Sequence, residues 1–338
     1  MSERKQMQEN SGQQKGIKGT DACIHCHLCQ KNCAFLRKYK IDIGDADRLR
    51  ELAYHCFLCG TCTVVCPKGI DGRKIILNMR RERIAEEGGK PRGYGMLLWE
   101  KDNYKFRNYR NAAGKAAFFP GCNFPSFYPE TTKYLSRMLW EKAGIGTVYD
   151  CCGKPVAELG MENREKDILY RLDKQLEKEG IEELILACPN CYHFLKGRIQ
   201  ARVVSIYSKL LELGVHTKQQ EKERKFFLPC PDRESREMLK DICLFLRKEP
   251  KIISGVQCCG LGGSAAVKED ELAEHLTDSL MGKMQVYSYC ASCCGNLARK
   301  GCKAEHILVT LLGTGEKPDT KKSLLNRVKF KFRKEKEV

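Results

Sequence analysis

The sequence predicts an α+β multidomain chain. A mostly helical N-terminal module is followed by two duplicated α/β units with parallel sheets. Three observations carry this. Eight cysteines fall in two eleven-residue arrays between residues 23 and 66. From residue 116 onward short apolar runs of strand length alternate with helical periodicities, the pattern of parallel sheets with crossover helices. The pattern is also written twice: Cys122, Cys151, Cys152, Cys188 and Cys191 recur as Cys230, Cys258, Cys259, Cys290 and Cys293, offset by 102 to 108 residues. Such self-similarity reads as an internal duplication of a unit of about 100 residues.

Taken in order, residues 1–18 are polar and read as disordered. Residues 19–92 hold the two cysteine arrays and then a helical run, RKIILNMRRERIAEE. Residues 93–115 read as a charged linker, entered through the Gly- and Pro-rich GGKPRGYG. The first unit spans 116–214. AAFF, GTVYD and LILA read as strands, and each runs into cysteines. Between them lie helices with Tyr134, Leu135, Met138 and Leu139, and with Ile168, Leu169, Leu172 and Leu176, on single faces. Residues 215–224 join it to the second unit, 225–313, where KFFL, KIISGVQ and QVYSY play the same parts. Residues 314–338 form a basic tail with interspersed Leu, Val and Phe, read as a solvated terminus or a docking segment for an acidic partner or membrane surface. Ligands gather at the C-terminal ends of parallel strands, so the five cysteines of each unit should converge.

The 338 residues include 21 cysteines, with 60 Lys+Arg against 43 Asp+Glu, a formal charge of +17. An odd cysteine count argues against a complete disulfide framework. The N-terminus lacks an apolar signal region and no stretch approaches 18 apolar residues, so a cytoplasmic chain without a transmembrane segment is expected. Thiols kept reduced at close spacing read as metal ligands. Buried anionic clusters, at roughly −2 each with their thiolates, would account for the basic excess. No nucleic-acid-binding motif is present, so no nucleic-acid partner is expected.

CIHCHLCQKNC (23–33) and CFLCGTCTVVC (56–66, followed by Pro67) are both C-x2-C-x2-C-x3-C, the bacterial ferredoxin pattern for two [4Fe–4S] cubanes. Zinc usually takes two separated C-x2-C pairs and fits four cysteines in eleven residues poorly. Resemblance to two-cluster ferredoxins implies crossed ligand sets: Cys23, Cys26, Cys29 with Cys66, and Cys56, Cys59, Cys62 with Cys33. His25, His27 and His55 read as neighbours of these ligands or as exposed residues.

The paired cysteines of DCCG and QCCG pose a separate question. Adjacent Cα atoms lie about 3.8 Å apart, below the separation an ordinary disulfide takes. Adjacent extended side chains also point to opposite faces. Both sulfurs reach one object only if the backbone turns sharply, which Gly153 and Gly260 permit, and only if the object exceeds a single small ion. A lone cysteine, then CCG, then C-x2-C resembles the cysteine-rich CCG-domain family, found in the catalytic B-type subunit of heterodisulfide reductase. A two-cluster module ahead of two such domains resembles the D-type fused heterodisulfide reductase subunit. It is also similar to the iron–sulfur subunits of glycolate oxidase and anaerobic glycerol-3-phosphate dehydrogenase.

The resemblance implies that Cys122, Cys151, Cys152, Cys188 and Cys191 hold one further, non-cubane [4Fe–4S] cluster, and that Cys230, Cys258, Cys259, Cys290 and Cys293 hold a second. These cysteines would then be catalytic as cluster ligands, with Gly153 and Gly260 shaping the cofactor sites. It implies an oxidoreductase subunit passing single electrons from a flavoprotein or other redox partner through the cubanes to these clusters, where a disulfide-like or thiol substrate is turned over. A non-catalytic subunit linking a flavin dehydrogenase to a quinone or ferredoxin pool is the alternative, and a purely structural role for the clusters a third. The sequence departs from the family in its shorter gaps between the lone cysteines and the pairs. Pro229–Cys230 also stands where many relatives have His-Asp-Pro-Cys. Cys188-Pro-Asn-Cys191 alone would suggest a thioredoxin-type dithiol, and Gly260 to Ala265 a loose dinucleotide fingerprint. Cys243 reads as a buried core thiol and Cys294 as a substitute for Cys293. Cys302 has no assigned role.

Overall fold

The computed structural model describes residues 19–215, 223–282 and 284–334. The segment 1–18 and most of the 215–224 connection lie outside the described residues.

The N-terminal module is helical. Short helices Leu28–Asn32, Ala34–Tyr39, Ala46–Glu51 and Thr61–Val65 lead to α1, Gly72–Glu87. The Asp71 carboxylate caps α1 by accepting from the amides of Arg73 and Lys74 at 3.1 and 3.2 Å, satisfying donors that have no partner within the helix. Ile75, Ile76 and Met79 of α1 pack on Phe35, Leu36, Leu49 and Ile70.

The first α/β unit has β1 (Asn108–Asn111), β2 (Ala116–Phe119), β3 (Gly146–Tyr149), β4 (Glu183–Leu186) and β5 (Arg202–Ser205), in the order β1-β3-β2-β4-β5. All neighbours are parallel except β1, which runs antiparallel to β3. Crossovers run through α2 (Pro129–Ala143) and α3 (Glu162–Lys178), and α4 (Pro189–Leu195) follows β4. Leu135 and Leu139 of α2 face the sheet; Tyr134, expected on the same face, is exposed. The central strands are buried on both sides: Phe118, Phe119, Val148, Leu184, Ile185 and Leu186 have no accessible surface. Each such side chain contributes roughly 1.5–3 kcal/mol relative to exposure.

The second unit has β6 (Lys225–Phe226), β7 (Lys251–Ile252), β8 (Gln285–Ser288) and β9 (Lys303–His306), all parallel, in the order β7-β6-β8-β9. This is the order β3-β2-β4-β5 repeated, so the duplication read in the cysteines is also present in the topology. Helix α5, Ala291–Arg299, follows β8. β6 and β7 are shorter than their apolar runs: Pro229 stops the first, and Gly255, at φ +76°, turns the chain out of the second.

Two segments differ from expectation. Residues 93–115 are not a simple connector. They form the helix Gly95–Lys101 and strand β1, with Tyr94, Leu98, Tyr104 and Phe106 buried. The tail is not a wholly solvated segment either. Both Glu316 carboxylate oxygens accept from the first amides of α2, those of Glu130 and Thr131, at 2.9 and 2.7 Å. Beyond it lies α6, Ser323–Phe332. Phe330 packs on Tyr149 at 5.0 Å between ring centroids, and Asn108 donates to the Phe330 carbonyl at 2.8 Å. A buried face was hidden in both stretches by their charge.

The two sheets share one core. Phe119, Tyr128, Leu186 and Tyr207 from the first unit and Phe226, Met238, Tyr289 and Ile307 from the second belong to the same buried cluster.

Candidate metal centres

In the N-terminal module the two cysteine loops have matching backbones. His25 and Leu58 lie at φ +48° and +49°, and His27 and Gly60 at +57° and +75°. These left-handed turns aim amides at sulfur: His25 N lies 3.4 Å from Cys23 Sγ, and Leu58 N lies 3.4 Å from Cys56 Sγ. Ile70 N similarly points at Cys66 Sγ, 3.4 Å away. Amides directed at sulfur favour thiolate over thiol. Cys23, Cys26, Cys29 and Cys66 line one pocket. Cys33 neighbours Cys56, Cys59 and Cys62 instead: burial, then the charges at Cys59 and Cys56, push the Cys33 thiol well up. Cys62 is raised in the same way by burial and by Cys56, Cys59 and Cys33. The fourth cysteine of each motif thus sits with the other motif's first three.

The first loop is at the surface, with His25, Cys26 and His27 exposed. His25 and His27 both meet the buried Asp42 carboxylate, at 3.0 and 3.1 Å. His55 contacts Glu269 at 2.7 Å and Tyr39 at 3.1 Å.

In the α/β units every cysteine of the two five-membered sets follows the C-terminal end of a parallel strand. Cys122 follows β2, Cys151 and Cys152 follow β3, and Cys188 and Cys191 follow β4. Cys230, Cys258–Cys259 and Cys290–Cys293 follow β6, β7 and β8. The glycine after each pair turns left-handed, at φ +86° for Gly153 and +93° for Gly260. A Cβ there would lie 2.7 Å from Ile168 Cγ2 or 2.9 Å from the Ala273 carbonyl oxygen.

The ten thiols form one continuous array. Cys122 contacts Cys151, Cys151 contacts Cys152, Cys152 contacts Cys191, and Cys191 contacts Cys188. Cys230 likewise contacts Cys258, Cys258 contacts Cys259, Cys259 contacts Cys293, and Cys293 contacts Cys290. The halves meet where Cys188 contacts Cys290. Cys152 is lowered to about 5 because Cys151 and Cys191 donate to it. Cys259 falls to about 6 through Cys258 and Cys293. Cys122 and Cys230, which donate and are buried, are pushed well up. So many adjoining thiols, seven of the ten buried, cannot all ionise on their own. As an all-sulfur donor set they suit a thiophilic multi-metal centre.

Cations flank the thiol groups. Arg80 is fully buried and donates to four carbonyls: Ala53 (3.0 Å) and Cys56 (2.8 Å) in the first module, Glu158 (2.6 Å) in the first unit and Gly263 (2.9 Å) in the second. Burial opposes the charge of Lys101, but Cys122 and Cys151 hold its ammonium above the ordinary range. Arg327 is likewise raised against burial by Cys122 and Glu100, and Arg233 by Cys230, Cys59 and Cys258. None of these four was legible in the sequence. Only a general excess of Lys and Arg announced them.

Gln257 joins the N-terminal module to the second unit. Its amide Nε2 reaches Cys33 Sγ at 3.4 Å and Cys59 Sγ at 3.5 Å, while its Oε1 accepts from the Ala34 amide at 2.6 Å. Gly262 and Gly263 face the same contact: a Cβ there would lie 2.3 Å from the Phe57 carbonyl oxygen or 2.6 Å from that of Cys56. The apparent dinucleotide fingerprint is thus a close module contact. Cys294 Sγ turns to the Ser288 carbonyl at 3.8 Å, whereas its neighbour Cys293 faces the array. Cys302 is buried beside Leu297 and Val286. Cys243 is half-buried at the edge of the shared core, not within it as expected.

Residues 19–70 match a 4Fe-4S dicluster domain, and residues 116–196 match the CCG cysteine-rich domain. The chain is 25% identical over 316 residues to an uncharacterized iron–sulfur protein of Methanococcus maripaludis, covering 77% of this chain and 62% of that one. It is 25% identical over 305 residues to a subunit of the fumarate reductase (CoM/CoB) of Methanothermobacter marburgensis, covering 75% and 61%. With the D-type subunit of the dihydromethanophenazine:CoB–CoM heterodisulfide reductase of Methanosarcina barkeri it shares 20% identity over 180 residues, 46% of this chain and 44% of that one. The chain spans about three fifths of the length of the first two relatives. The matches to a 4Fe-4S domain and to an iron–sulfur protein agree with the donor chemistry of the three thiol groups.

Proposed function

We propose that this chain, which carries a 4Fe–4S dicluster domain and CCG cysteine-rich chemistry, is the electron-transfer and disulfide-reducing subunit of a larger iron–sulfur oxidoreductase. The observation that carries the reading is the continuous file of ten thiols, seven buried and three half-buried, abutting the N-terminal module at Gln257. Cys23, Cys26, Cys29 and Cys66 would hold one cubane, and Cys33, Cys56, Cys59 and Cys62 the other. Each five-cysteine set would hold a further four-iron cluster. Bound there, such clusters supply single-electron transfer and, in the two α/β units, iron able to accept a thiolate.

The chain's own residues do the rest. The exposed loop 23–29 offers an electron entry face to a flavoprotein or other redox partner. Gln257 directs N–H groups at the sulfurs of Cys33 and Cys59, one residue before Cys258. The second unit's thiols therefore stand next to those of the N-terminal module, and the first unit's follow through Cys290 and Cys188. Arg80, Arg233, Lys101 and Arg327 provide fixed positive charge beside the sulfurs, which favours added electrons. A cleft between the three parts, lined by Leu58, Arg73, Lys74, Lys154, Arg198 and Cys230, leads from solvent to the thiol array. Glu158 and Glu165 also line it, paired with Lys154 and with Arg81 and Arg198, and the remaining excess of cations suits an acidic thiol or disulfide. The overall change is R–S–S–R′ with two electrons and two protons giving RSH and R′SH, the electrons coming from the redox partner.

The test is made on anaerobically prepared full-length protein. Roughly 16 irons per chain are expected, against about eight if only the N-terminal module is loaded. Oxidised protein titrated with thiols should develop a new paramagnetic signal that C230A or C258A weakens by removing the second unit's share. A thiol-insensitive signal with intact electron throughput would assign the protein to a relay between a dehydrogenase and a quinone or ferredoxin pool instead.

A further inference from the structure

Helix α6 is packed on one side and bare on the other. Asn326 and Phe330 are buried, each 3% exposed. Asn326 donates to the Ser126 carbonyl at 3.0 Å, and Ser126 donates to the Ser323 carbonyl at 2.8 Å. The opposite side carries Leu324, Leu325 and Phe332 at 59, 58 and 61% exposure, with Val328 at 36%. Spaced by three, four and seven residues, they form a single apolar stripe along a helix. Lys321, Lys322, Lys329 and Lys334 stand exposed around it, and residues 320–334 contain no Asp or Glu. Apolar surface is normally what a helix buries, and here the packed face is used while the apolar stripe points to water.

We propose that α6 seats the protein on an anionic lipid surface. The stripe enters the boundary between headgroups and acyl chains, and the surrounding lysines meet lipid phosphates. The stripe is ringed by exposed lysines, and a carboxylate that borders it, Glu130 across the cleft beside Phe332, is already held by Lys133 at 2.7 Å. A bilayer needs only the stripe and the lysines, whereas a protein partner would need a matching groove with placed acidic groups. The ridge is also tied to the thiol array. Arg327, on the same helix, reaches Glu100 Oε1 at 2.7 Å and Asn123 Oδ1 at 2.9 Å, and Asn123 follows Cys122. Docking would therefore bring the first α/β unit to the lipid surface, while the exposed entry loop belongs to the N-terminal module. The docking stands on α6 alone. Its value as a route to a lipid-soluble electron acceptor rests on the reading given above.

The experiment is co-sedimentation of the full-length, anaerobically loaded protein with vesicles of phosphatidylcholine, with and without phosphatidylglycerol. Binding is expected to the anionic vesicles only and to weaken as salt is raised. L325S/F332S and K322E/K329E should each weaken it by about tenfold or more, while leaving iron content and the thermal midpoint unchanged, because these side chains are exposed. The proposal is overturned if wild-type protein stays in the supernatant, if it binds both vesicle types equally, or if the variants sediment like wild type. Capture of α6 by a copurifying polypeptide without vesicle binding would also overturn it, because the surface would then belong to a protein. Thiol-dependent signals that persist while vesicle binding fails would refute the docking and leave the proposed chemistry standing.

Discussion

Arg80 shows how much one side chain can decide. A buried guanidinium without a carboxylate is expensive unless its fork is filled, and this one is filled by carbonyls from all three parts of the chain. Its charge lies beside Cys56, where burial lowers the guanidinium and the cysteine opposes that fall. R80M would remove the donor that four carbonyls share, leaving Ala53's with the Cys56 amide alone, at 3.4 Å. The expected loss is about 3 kcal/mol or more, read as a drop in the denaturation midpoint, together with a more negative potential for one N-terminal cluster. R80K should rescue little, because an ammonium cannot span the same acceptors. A second residue sets a pH dependence. His306 is fully buried against Phe124 and Tyr128, and burial lowers it from 6.5 to about 3. The unfolded chain therefore takes up a proton between these values that the folded chain refuses. The stability tied to this group is present in full above pH 6.5 and is lost as pH falls through the window toward 3, by about 1.4 kcal/mol per unit. Denaturation midpoints at pH 7.5 and 5.5 should fall less in H306N, which keeps an acceptor for the Leu308 amide. An equal slope in both proteins would remove His306 from the account.

At the level of elements, β2, β3 and β4 were legible because buried parallel strands are short apolar runs, and each is flanked by its cysteine. β5 and β9 were not. Arg202–Ser205 merges into the apolar helix that follows it, so no change of period marks where the strand ends. Lys303–His306 is mostly polar, an edge strand with exposed positions. β1 and α6 hid behind charge for the same reason: each buries only one or two side chains. Yet α6 and the stretch of chain before it hold much of the first unit together. Truncation after Gly313 would remove the Glu316 cap of α2 and strip Phe330 from Tyr149. About 1 kcal/mol for the cap and roughly 2–3 for the ring predict a clearly lower thermal midpoint, by several degrees for a unit of this size. An unchanged calorimetric midpoint would mean that the tail adds nothing to the fold.

Across the whole molecule, the cysteine spacing announced which thiols act together but not how the three parts are arranged. That arrangement depends on contacts between residues more than 150 positions apart, such as Gln257 with Cys33 and Glu269 with Lys38, at 2.6 Å. No local periodicity records them. The consequence is an order of the thiols in space, with those of the second unit next to Cys33 and Cys59, that differs from the order along the chain, while the first unit also packs on the N-terminal module, where Tyr54 donates to the Leu159 carbonyl at 2.9 Å. The contact of Cys188 with Cys290 is where this order is most exposed to test. In metal-free protein the two thiols belong to different units and are separated by 101 intervening residues, so chance pairing in an unfolded chain would favour nearer partners. Mild oxidation of folded, metal-free protein should yield a disulfide joining the Cys188 and Cys290 peptides in a proteolytic map, and N190A should leave it in place, since Asn190 only approaches Cys290 Sγ from the side, at 3.6 Å. Bridges confined to Cys152–Cys191 or Cys259–Cys293, with none across the units, would separate the two halves of the array and with them the continuous path from the entry loop to the lipid-facing unit.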